Sequence, residues 1–241
     1  MQEQPLAQVN SPSENNSNSS DQSLFEKNKF TIADRFRGFL PVIVDVETAG
    51  FDPQKDALLE VAMMTVRLEN DKFYPDELFS ANIRPFPGAN INQANIDFLG
   101  IDPFDESRNL LSEYDALVPM FKAIQKKVKA NKCKRAILVG HNGQFDLGFI
   151  AAAAERLNYK RSPFHPFSVF DTASLSLLVY GQSVLAKACI GAGIKFDQEN
   201  AHGAAYDTQM ECQLFCKLIN RFTTFCGIPA PVNEVIDYSK N

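Results

Sequence analysis

Apolar positions along the chain form short runs and helical stripes that are separated by polar turns. Residues 41–46 form an apolar run rich in β-branched side chains, which is typical of a buried central strand. Further strands are predicted at 58–66, 78–84, 136–139 and 169–170, the second of these from alternating apolar positions. Helical periodicity and propensity predict helices at 112–131, 146–157, 173–180 and 203–221.

The order of these elements predicts the fold class. Three strands follow one another, and alternating helices and strands come after them, which indicates an α/β fold with a mixed sheet. The 241 residues, 45% hydrophobic and 22% charged, suit one globular domain with a substantial core. Residues 1–29 are rich in Ser, Asn and Gln and are predicted to form a disordered polar tail, so a single domain is predicted at 30–241.

The distribution of apolar, basic and cysteine residues predicts a cytoplasmic protein without membrane contact. No apolar run approaches the roughly 18 residues of a membrane-spanning helix, and residues 1–26 contain no Lys or Arg to begin a signal peptide. The five cysteines include no Cys-x-x-Cys pair, which fits a reducing compartment. Cys212 and Cys216 share a helical face and are expected to be buried core thiols.

A block of basic residues stands out against the net charge of −5. Residues 122–135 contain seven Lys or Arg side chains and no acid, a pattern typical of a phosphate-binding face. The alternative is a solvated helix end, since Ser112 is a candidate N-cap for this helix and cations suit a helix C-terminus. The residues alone leave both interpretations open.

Four acids and a histidine lie where strands end or a helix begins. Asp45 and Glu47 are two apart on the first strand and therefore project from one face, unless the strand has already left the core there. Asp146 follows the strand at 136–139, as a site residue or as a helix N-cap. His202 and Asp207 lie near the start of the last helix and could reach a common point if His202 stands on the preceding loop.

Taken together, these residues indicate a metal-dependent reaction. Carboxylate oxygens are the ligands that Mg²⁺ or Mn²⁺ prefers, and two such ions about 4 Å apart can promote an in-line phosphoryl displacement. Histidine, with an ordinary pKa of about 6.5, suits proton removal from water near neutral pH. Asp171 is expected to cap the helix that begins near Thr172, although it could instead be a fifth ligand.

The same residues carry a resemblance to a known family. Asp-x-Glu-Thr in the first strand, a later Phe-Asp and a final His-x-x-x-x-Asp resemble the DEDDh 3′→5′ exonucleases, in that order. Between about 34 and 225 the chain resembles the ribonuclease T family in particular, through Asp34-Arg-Phe-Arg-Gly38, Asp45-Val-Glu-Thr-Ala-Gly-Phe51, Asn82-Ile-Arg-Pro-Phe86, His141-Asn142, Pro163-Phe-His-Pro-Phe167 and Phe170-Asp-Thr172.

The resemblance implies a ribonuclease H-like fold and a set of catalytic residues. Asp45, Glu47, Asp146 and Asp207 would hold two Mg²⁺, with Mn²⁺ able to substitute, and His202 would be the general base. The predicted activity is 3′→5′ exoribonuclease trimming of tRNA and other stable structured RNAs, with release of nucleoside 5′-monophosphates. No Gly-rich phosphate-binding motif is found, so no nucleotide cofactor is expected.

The resemblance also implies how RNA is bound. The 3′ end would stack on aromatic residues, with Thr48 beside it; the implied aromatic positions are Phe51, Phe98, Phe145 and Phe167. The family implies a homodimer in which the basic surface of one subunit feeds RNA to the other, here through Arg35, Arg37, Lys129, Arg135 and Lys160. Ala94 stands where an acidic side chain is expected in the substrate loop.

Two rival functions remain at this point. The first is the same chemistry on single-stranded DNA, because the carboxylate set does not contact a 2′-hydroxyl. The second is an RNA-binding module that retains the basic face without catalysis. Comparison of RNA and DNA degradation separates the first rival, and binding without metal-dependent turnover identifies the second.

Overall fold

The fold is built on one five-stranded mixed sheet. The computed structural model describes residues 30–227, so the predicted tail at 1–29 and the end of the predicted domain at 228–241 lie outside the described residues. The strands are β1 Phe39–Thr48, β2 Leu58–Glu69, β3 Lys72–Asn82, β4 Arg135–Gly140 and β5 Phe164–Asp171, in the spatial order β3-β2-β1-β4-β5. β1 pairs antiparallel with β2 and parallel with β4; β2–β3 is antiparallel and β4–β5 is parallel.

Seven α-helices surround this sheet in the described part of the chain. They are α1 Ile32–Arg35, α2 Gln93–Leu99, α3 Glu113–Ala130, α4 Gln144–Arg156, α5 Thr172–Tyr180, α6 Leu185–Gly191 and α7 Ala204–Cys226. The long α7 packs on β1, β2 and β3, while α4 contacts β1, β4 and β5. This arrangement brings the start of α4 and the start of α7 to the central strand β1.

β1 lies at the centre of the sheet because its sequence is apolar on both faces. Val42, Ile43 and Val44 are fully buried, as are Leu138 and Val139 on the neighbouring β4. Since β1 and β4 run parallel, their carboxyl ends meet at the same edge of the sheet. Side chains that follow these two strands are therefore close together, as in other α/β folds.

The predicted mixed α/β sheet is confirmed, with differences at element ends. β5 begins five residues before the predicted 169 and includes Pro166, which an edge strand tolerates because one of its sides needs no ladder hydrogen bonds. β3, the other edge strand, contains Pro75 and also begins early. The seven-residue helices α2 and α6 were not predicted, because two turns are too short to give a clear helical period.

Two predicted helix caps are confirmed. The Ser112 side chain accepts from the Asp115 N–H at the start of α3. Asp171 accepts from the Ala173 N–H at 2.9 Å and so caps α5. The alternative that Asp146 is the N-cap of α4 is wrong, because α4 begins two residues earlier with Gly143 as its N-cap.

The cysteine and membrane-span predictions can also be compared with the structure. Cys212 and Cys216 are buried in the core, and all five cysteines are free thiols. Among residues 30–227 no single helix is long and apolar enough to cross a membrane; α5 and α6 reach that length only together, across a 43° bend.

Candidate active site

The end of β1 presents two carboxylates to a third on α7. Asp45 and Glu47 alternate with the buried Val46 and so project from the same face of the strand. Carboxylate oxygens of Asp45, Glu47 and Asp207 all lie within 4.8 Å of one another. Residues that are 160 positions apart in sequence thus meet at the carboxyl edge of the sheet.

Asp146 joins this group through a tight turn between β4 and α4. A Cβ at Gly140 would lie 2.4 Å from the Cα of Gly143, so only glycine permits this close approach of the two segments. The turn brings the buried Asp146 against β1, where its Oδ1 accepts from the Val46 N–H at 3.1 Å. Asp146 is thereby fixed to the residue between Asp45 and Glu47.

His202 stands on the loop that leads into α7, the position needed for it to reach the same point as Asp207. Its backbone N–H donates to Asp207 Oδ2 at 3.1 Å, and its φ of +66° is unusual for a residue with a side chain. Its exposed ring lies 4.8 Å from the ring of Phe98, centroid to centroid. His202 is therefore exposed to solvent next to Asp207, and its ring is accessible to a ligand.

Burial raises the pKa of each of the four carboxylates. Burial, together with the charges of Asp146 and Glu47, raises the pKa of Asp45 well above its ordinary value. Burial and the charge of Asp207 raise the pKa of Glu47 to about 8, and burial raises the pKa of Asp146 to about 7. Burial also raises the pKa of Asp207. Within residues 30–227 no Lys or Arg forms an ion pair with any of the four.

Two buried carboxylate oxygens indicate which kind of ligand suits this site. Asp45 Oδ2 and Asp207 Oδ1 are inaccessible to solvent and have no hydrogen-bond partner among the described residues. Buried carboxylates are unfavourable unless they are paired or bound to a cation. A group of oxygen donors with raised pKa values and unpartnered atoms fits a hard divalent cation, and it suits Mg²⁺ or Mn²⁺ better than zinc.

Two acids near the site were not predicted from the sequence. Glu211 lies one helical turn after Asp207; it is buried, and the Thr172 hydroxyl donates to its Oε1 at 2.9 Å. Burial raises the pKa of Glu211 well above its ordinary value. Glu60 on β2 is the register partner of Glu47. Glu211 could have been predicted near the site, because it lies four residues after Asp207 on the same face of one helix.

The four aromatic positions implied by the resemblance are solvent-exposed near this edge. Phe51, Phe98 and Phe167 are 74%, 70% and 80% exposed, which is unfavourable for large apolar side chains without a ligand. Phe145 packs edge-on against Phe51, and its neighbour Gln144 donates to the Phe167 carbonyl at 3.2 Å. Thr48, by contrast, is buried and its hydroxyl donates to the Gly50 carbonyl.

The basic positions occupy one region around the start of β1 and β4. The turn at Arg37 and Gly38 accepts a backbone hydrogen bond from Lys134, and Arg135 lines the same cavity as Lys160. These side chains are exposed, as is Lys129 near the end of α3. Arg35 is half-buried, with its guanidinium 5.2 Å from the Phe36 ring centroid. Lys127 within the basic block forms ion pairs with Asp76 and Glu77.

A family model and known proteins from two bacteria match most of this chain. Residues 42–215 match the exonuclease family model RNase_T. The chain is 54% identical over 200 residues to ribonuclease T of Hahella chejuensis, covering 83% of this chain and 92% of that protein. It is 52% identical over 204 residues to ribonuclease T of Yersinia enterocolitica, covering 84% of this chain and 95% of that protein.

Similar folds are found among solved exonuclease structures. Exonuclease I of E. coli in complex with a dT13 oligonucleotide matches with a TM-score of 0.59 at 18% identity, covering 78% of this chain and 42% of that one. The nuclease domain of 3′hExo, a DEDDh family member bound to rAMP, matches with a TM-score of 0.55 at 16% identity, covering 81% and 96%. The ribonuclease H-like fold predicted from the resemblance is confirmed by these matches.

Proposed function

Since the chain belongs to the ribonuclease T family and is a 3′→5′ exoribonuclease, we propose that it trims the 3′ ends of tRNA and other stable structured RNAs. The products are nucleoside 5′-monophosphates. The observation that carries this proposal is the convergence of Asp45, Glu47 and Asp207, with Asp146 fixed against Val46 beside them. Such a group of oxygen donors suits hydrolysis of a phosphodiester at a chain end.

The four carboxylates would hold two Mg²⁺, with Mn²⁺ as a substitute. The unpartnered oxygens of Asp45 and Asp207 support this assignment. When bound, two divalent ions supply activation of the attacking water and stabilisation of the charge that develops on the departing 3′ oxygen. Asp146 is held in position for this role by the Val46 N–H, and Asp207 by the His202 N–H.

His202 is the proposed general base. Its ring is exposed to solvent, and its backbone N–H donates to the carboxylate of Asp207. A neutral imidazole ring nitrogen there accepts the proton of the attacking water as the phosphodiester bond is broken. The Phe98 ring at 4.8 Å limits the directions in which this imidazole can turn.

Unpaired 3′ nucleotides are bound by the exposed aromatic side chains. Bases stack on aromatic faces with little regard to sequence, so Phe51, Phe98, Phe145 and Phe167 favour a flexible end over a duplex. Trimming therefore stops near a base-paired stem, which explains a preference for stable RNAs with short 3′ overhangs. Thr48 takes part by fixing the turn before Phe51 through its hydrogen bond to Gly50.

The proposal includes a cytoplasmic homodimer in which basic residues of one subunit bind RNA backbone that enters the site of the other. The positions are those of the basic region described above, Arg35, Arg37, Lys129, Arg135 and Lys160. The grouping of Arg37, Arg135 and Lys160 at one end of β1 and β4 supports a continuous phosphate-binding surface.

A labelled time course tests this function directly. A 5′-labelled RNA hairpin with a 3′ overhang is incubated with Mg²⁺ or with EDTA, using the wild type and His202→Ala. Stepwise shortening that stops near the stem, requires Mg²⁺ and is at least about 100-fold slower in the variant is expected for a lost general base. Binding of RNA without metal-dependent shortening would instead indicate a non-catalytic module.

Single-stranded DNA is a second candidate substrate. The fold match to an exonuclease in complex with dT13 favours it, and stacking alone does not distinguish ribose from deoxyribose. The same overhang made of deoxyribonucleotides on an RNA stem gives the comparison. Degradation of the DNA overhang at the higher rate would overturn RNA as the main substrate.

A further inference from the structure

Glu60 on β2 is adjacent to the carboxylate group, and it forms contacts with two other segments of the chain. It is the register partner of Glu47, yet both of its carboxylate oxygens are already hydrogen bonded. Oε1 accepts from Arg108 Nη2 at 2.6 Å, and Oε2 accepts from the Ala204 N–H at 3.2 Å. Both side chains of the ion pair are less than one fifth exposed, at 16% for Arg108 and 18% for Glu60.

The bond to Ala204 replaces a helix cap that α7 does not have. Its N-cap is Gly203, which has no side chain to accept from the first N–H groups. Ala204 is buried, so its N–H would otherwise lose solvent without gaining a partner. Glu60 supplies that acceptor from another strand, and its negative charge is favourable at a helix N-terminus.

This cap fixes the backbone that carries His202. Ala204 lies two residues after His202, and His202 itself holds a φ of +66°. Non-glycine residues in this left-handed region of backbone conformation are strained and persist where their surroundings constrain them. Here the constraints are the hydrogen bonds at the two ends of the turn, from His202 N–H to Asp207 and from Ala204 N–H to Glu60.

Arg108 connects the same carboxylate to the segment that follows Phe98. Its Nη1 donates to the Asp102 carbonyl at 3.1 Å, three residues after the end of α2. The backbone carbonyl of Arg108 accepts a hydrogen bond from Asn82 Nδ2 at 2.5 Å, so Arg108 is also bonded to the last residue of β3. The helix that bears Phe98 and the loop that bears His202, whose rings are in contact, are thus joined through one ion pair.

We propose that Glu60 and Arg108 are positioning residues, which hold the loop of His202 and the helix of Phe98 at a fixed separation so that the imidazole is directed at the carboxylate group. The inference rests on the proposed function, in which His202 is the general base. Neither residue touches the reacting atoms; both act through hydrogen bonds to backbone that carries a residue of the site.

The test compares variants that break the pair on either side. Glu60→Ala and Arg108→Met are expected to lower kcat on the overhang RNA by about 10- to 100-fold while KM changes by less than about 3-fold, since small misplacement of a catalytic group has effects of this size. Glu60→Gln retains an oxygen for the Ala204 N–H and is expected to recover a large part of the Glu60→Ala loss. The thermal midpoint is measured for each variant.

Arg84→Met is the matched control. Arg84 forms a bidentate ion pair with Glu106, at 2.6 and 2.8 Å. Glu106 lies on the same short segment as Arg108. That pair does not reach α7, so its loss is expected to leave kcat within about 3-fold of the wild type, as for other exposed ion pairs. An equal loss of kcat in Arg84→Met would mean that any disturbance of this segment impairs the enzyme, and it would overturn the inference.

A double-mutant cycle distinguishes positioning of His202 from a general effect. In a His202→Ala background, Glu60→Ala and Arg108→Met are each expected to change kcat by less than about 3-fold, because the group that they position is already absent. Equal losses in both backgrounds would overturn the inference, and so would full activity of both single variants. Wild-type activity of His202→Ala alone would overturn the base assignment, and this inference with it.

Discussion

Burial raises the pKa of Asp45, and so do the charges of Asp146, Glu47 and Asp207. Asn has nearly the same shape as Asp but cannot carry the negative charge that a divalent cation requires. We therefore expect Asp45→Asn to lower the exonuclease rate by about 10²- to 10³-fold, the scale seen when a charge-stabilising group is lost. Because the variant removes like-charge repulsion, its thermal midpoint without metal is expected to equal or exceed that of the wild type.

Asp171→Asn is the control for this residue. It also lies at a strand end near the site, but its carboxylate caps α5 and accepts from the Asn142 and Ala173 N–H groups. Asn is an equally good N-cap, so activity is expected to stay within about 3-fold. Near wild-type turnover of purified Asp45→Asn would show that catalysis does not depend on this carboxylate.

The raised pKa values make a prediction about stability of the metal-free protein. The pKa is about 8 for Glu47 and about 7 for Asp146, whereas both are near 4 in an unfolded chain. Between pH 4 and 8 the folded state binds more protons than the unfolded state, so the free energy of unfolding falls as pH rises. In EDTA we expect the thermal midpoint to decrease from pH 5 to pH 8.

Mg²⁺ and a single substitution provide the comparisons for that pH series. Added Mg²⁺ offsets the repulsion between ionised carboxylates, so the decrease toward pH 8 is expected to be smaller with the ion than with EDTA. Glu47→Gln removes one titrating group and is expected to flatten the EDTA curve. A midpoint in EDTA that rises steadily from pH 5 to pH 8 would contradict the assignment of raised pKa values to this site.

At the scale of elements, α2 presents Phe98 to the site although the helix has only seven residues. Stacking of one base on an aromatic ring contributes about 1–3 kcal/mol, so Phe98→Ala is expected to lower kcat/KM on single-stranded 3′ ends by about 5- to 150-fold. Phe225→Ala is the control, because Phe225 is similarly exposed but lies at the opposite end of α7 from His202. Equal effects of the two substitutions would show that Phe98 does not bind the base.

The sequence pattern predicted those parts of the site that depend on local periodicity. Asp45 and Glu47 share a face because strand side chains alternate. The pattern also predicted the condition under which His202 meets Asp207, a position on the preceding loop, and the structure places His202 there. The role of Glu60 could not be predicted, because its partners Arg108 and Ala204 are 48 and 144 residues away. Such contacts depend on the way that complete elements pack, and no local spacing encodes them.

The same distinction applies to the strands and helices. β1, β4 and α3 have buried apolar residues that give a clear pattern, and they were predicted within about two residues of their observed bounds. The start of α7 was also predicted, but the helix extends five residues beyond the predicted end at 221. The edge strands β3 and β5 each contain a proline and many exposed residues, so their N-terminal halves show no strand pattern in the sequence. α2 and α6 are stabilised mainly by packing on the rest of the domain, since two-turn helices have little stability alone.

At the scale of the whole molecule, the proposed homodimer places RNA-backbone binding and phosphodiester cleavage on different subunits, whereas a monomer would combine them. If RNA bound to the basic region of one subunit enters the carboxylate site of the other, a subunit can supply either function to its partner. Asp45→Asn removes the site and leaves the basic region intact. Arg135→Ala with Lys160→Ala weakens the basic region, at exposed positions distant from the carboxylates, and leaves the site intact.

Mixed dimers of these two variants test that arrangement. Each homodimer is expected to be impaired, whereas a dimer with one subunit of each kind has one intact site facing one intact basic region. Purified by two different affinity tags, the mixed dimer is expected to have about half of the wild-type activity per dimer, as symmetry leaves one of two composite sites complete. If RNA were bound and cleaved within a single subunit, the mixed dimer would contain no complete site, and its activity would be no more than the average of the two homodimers.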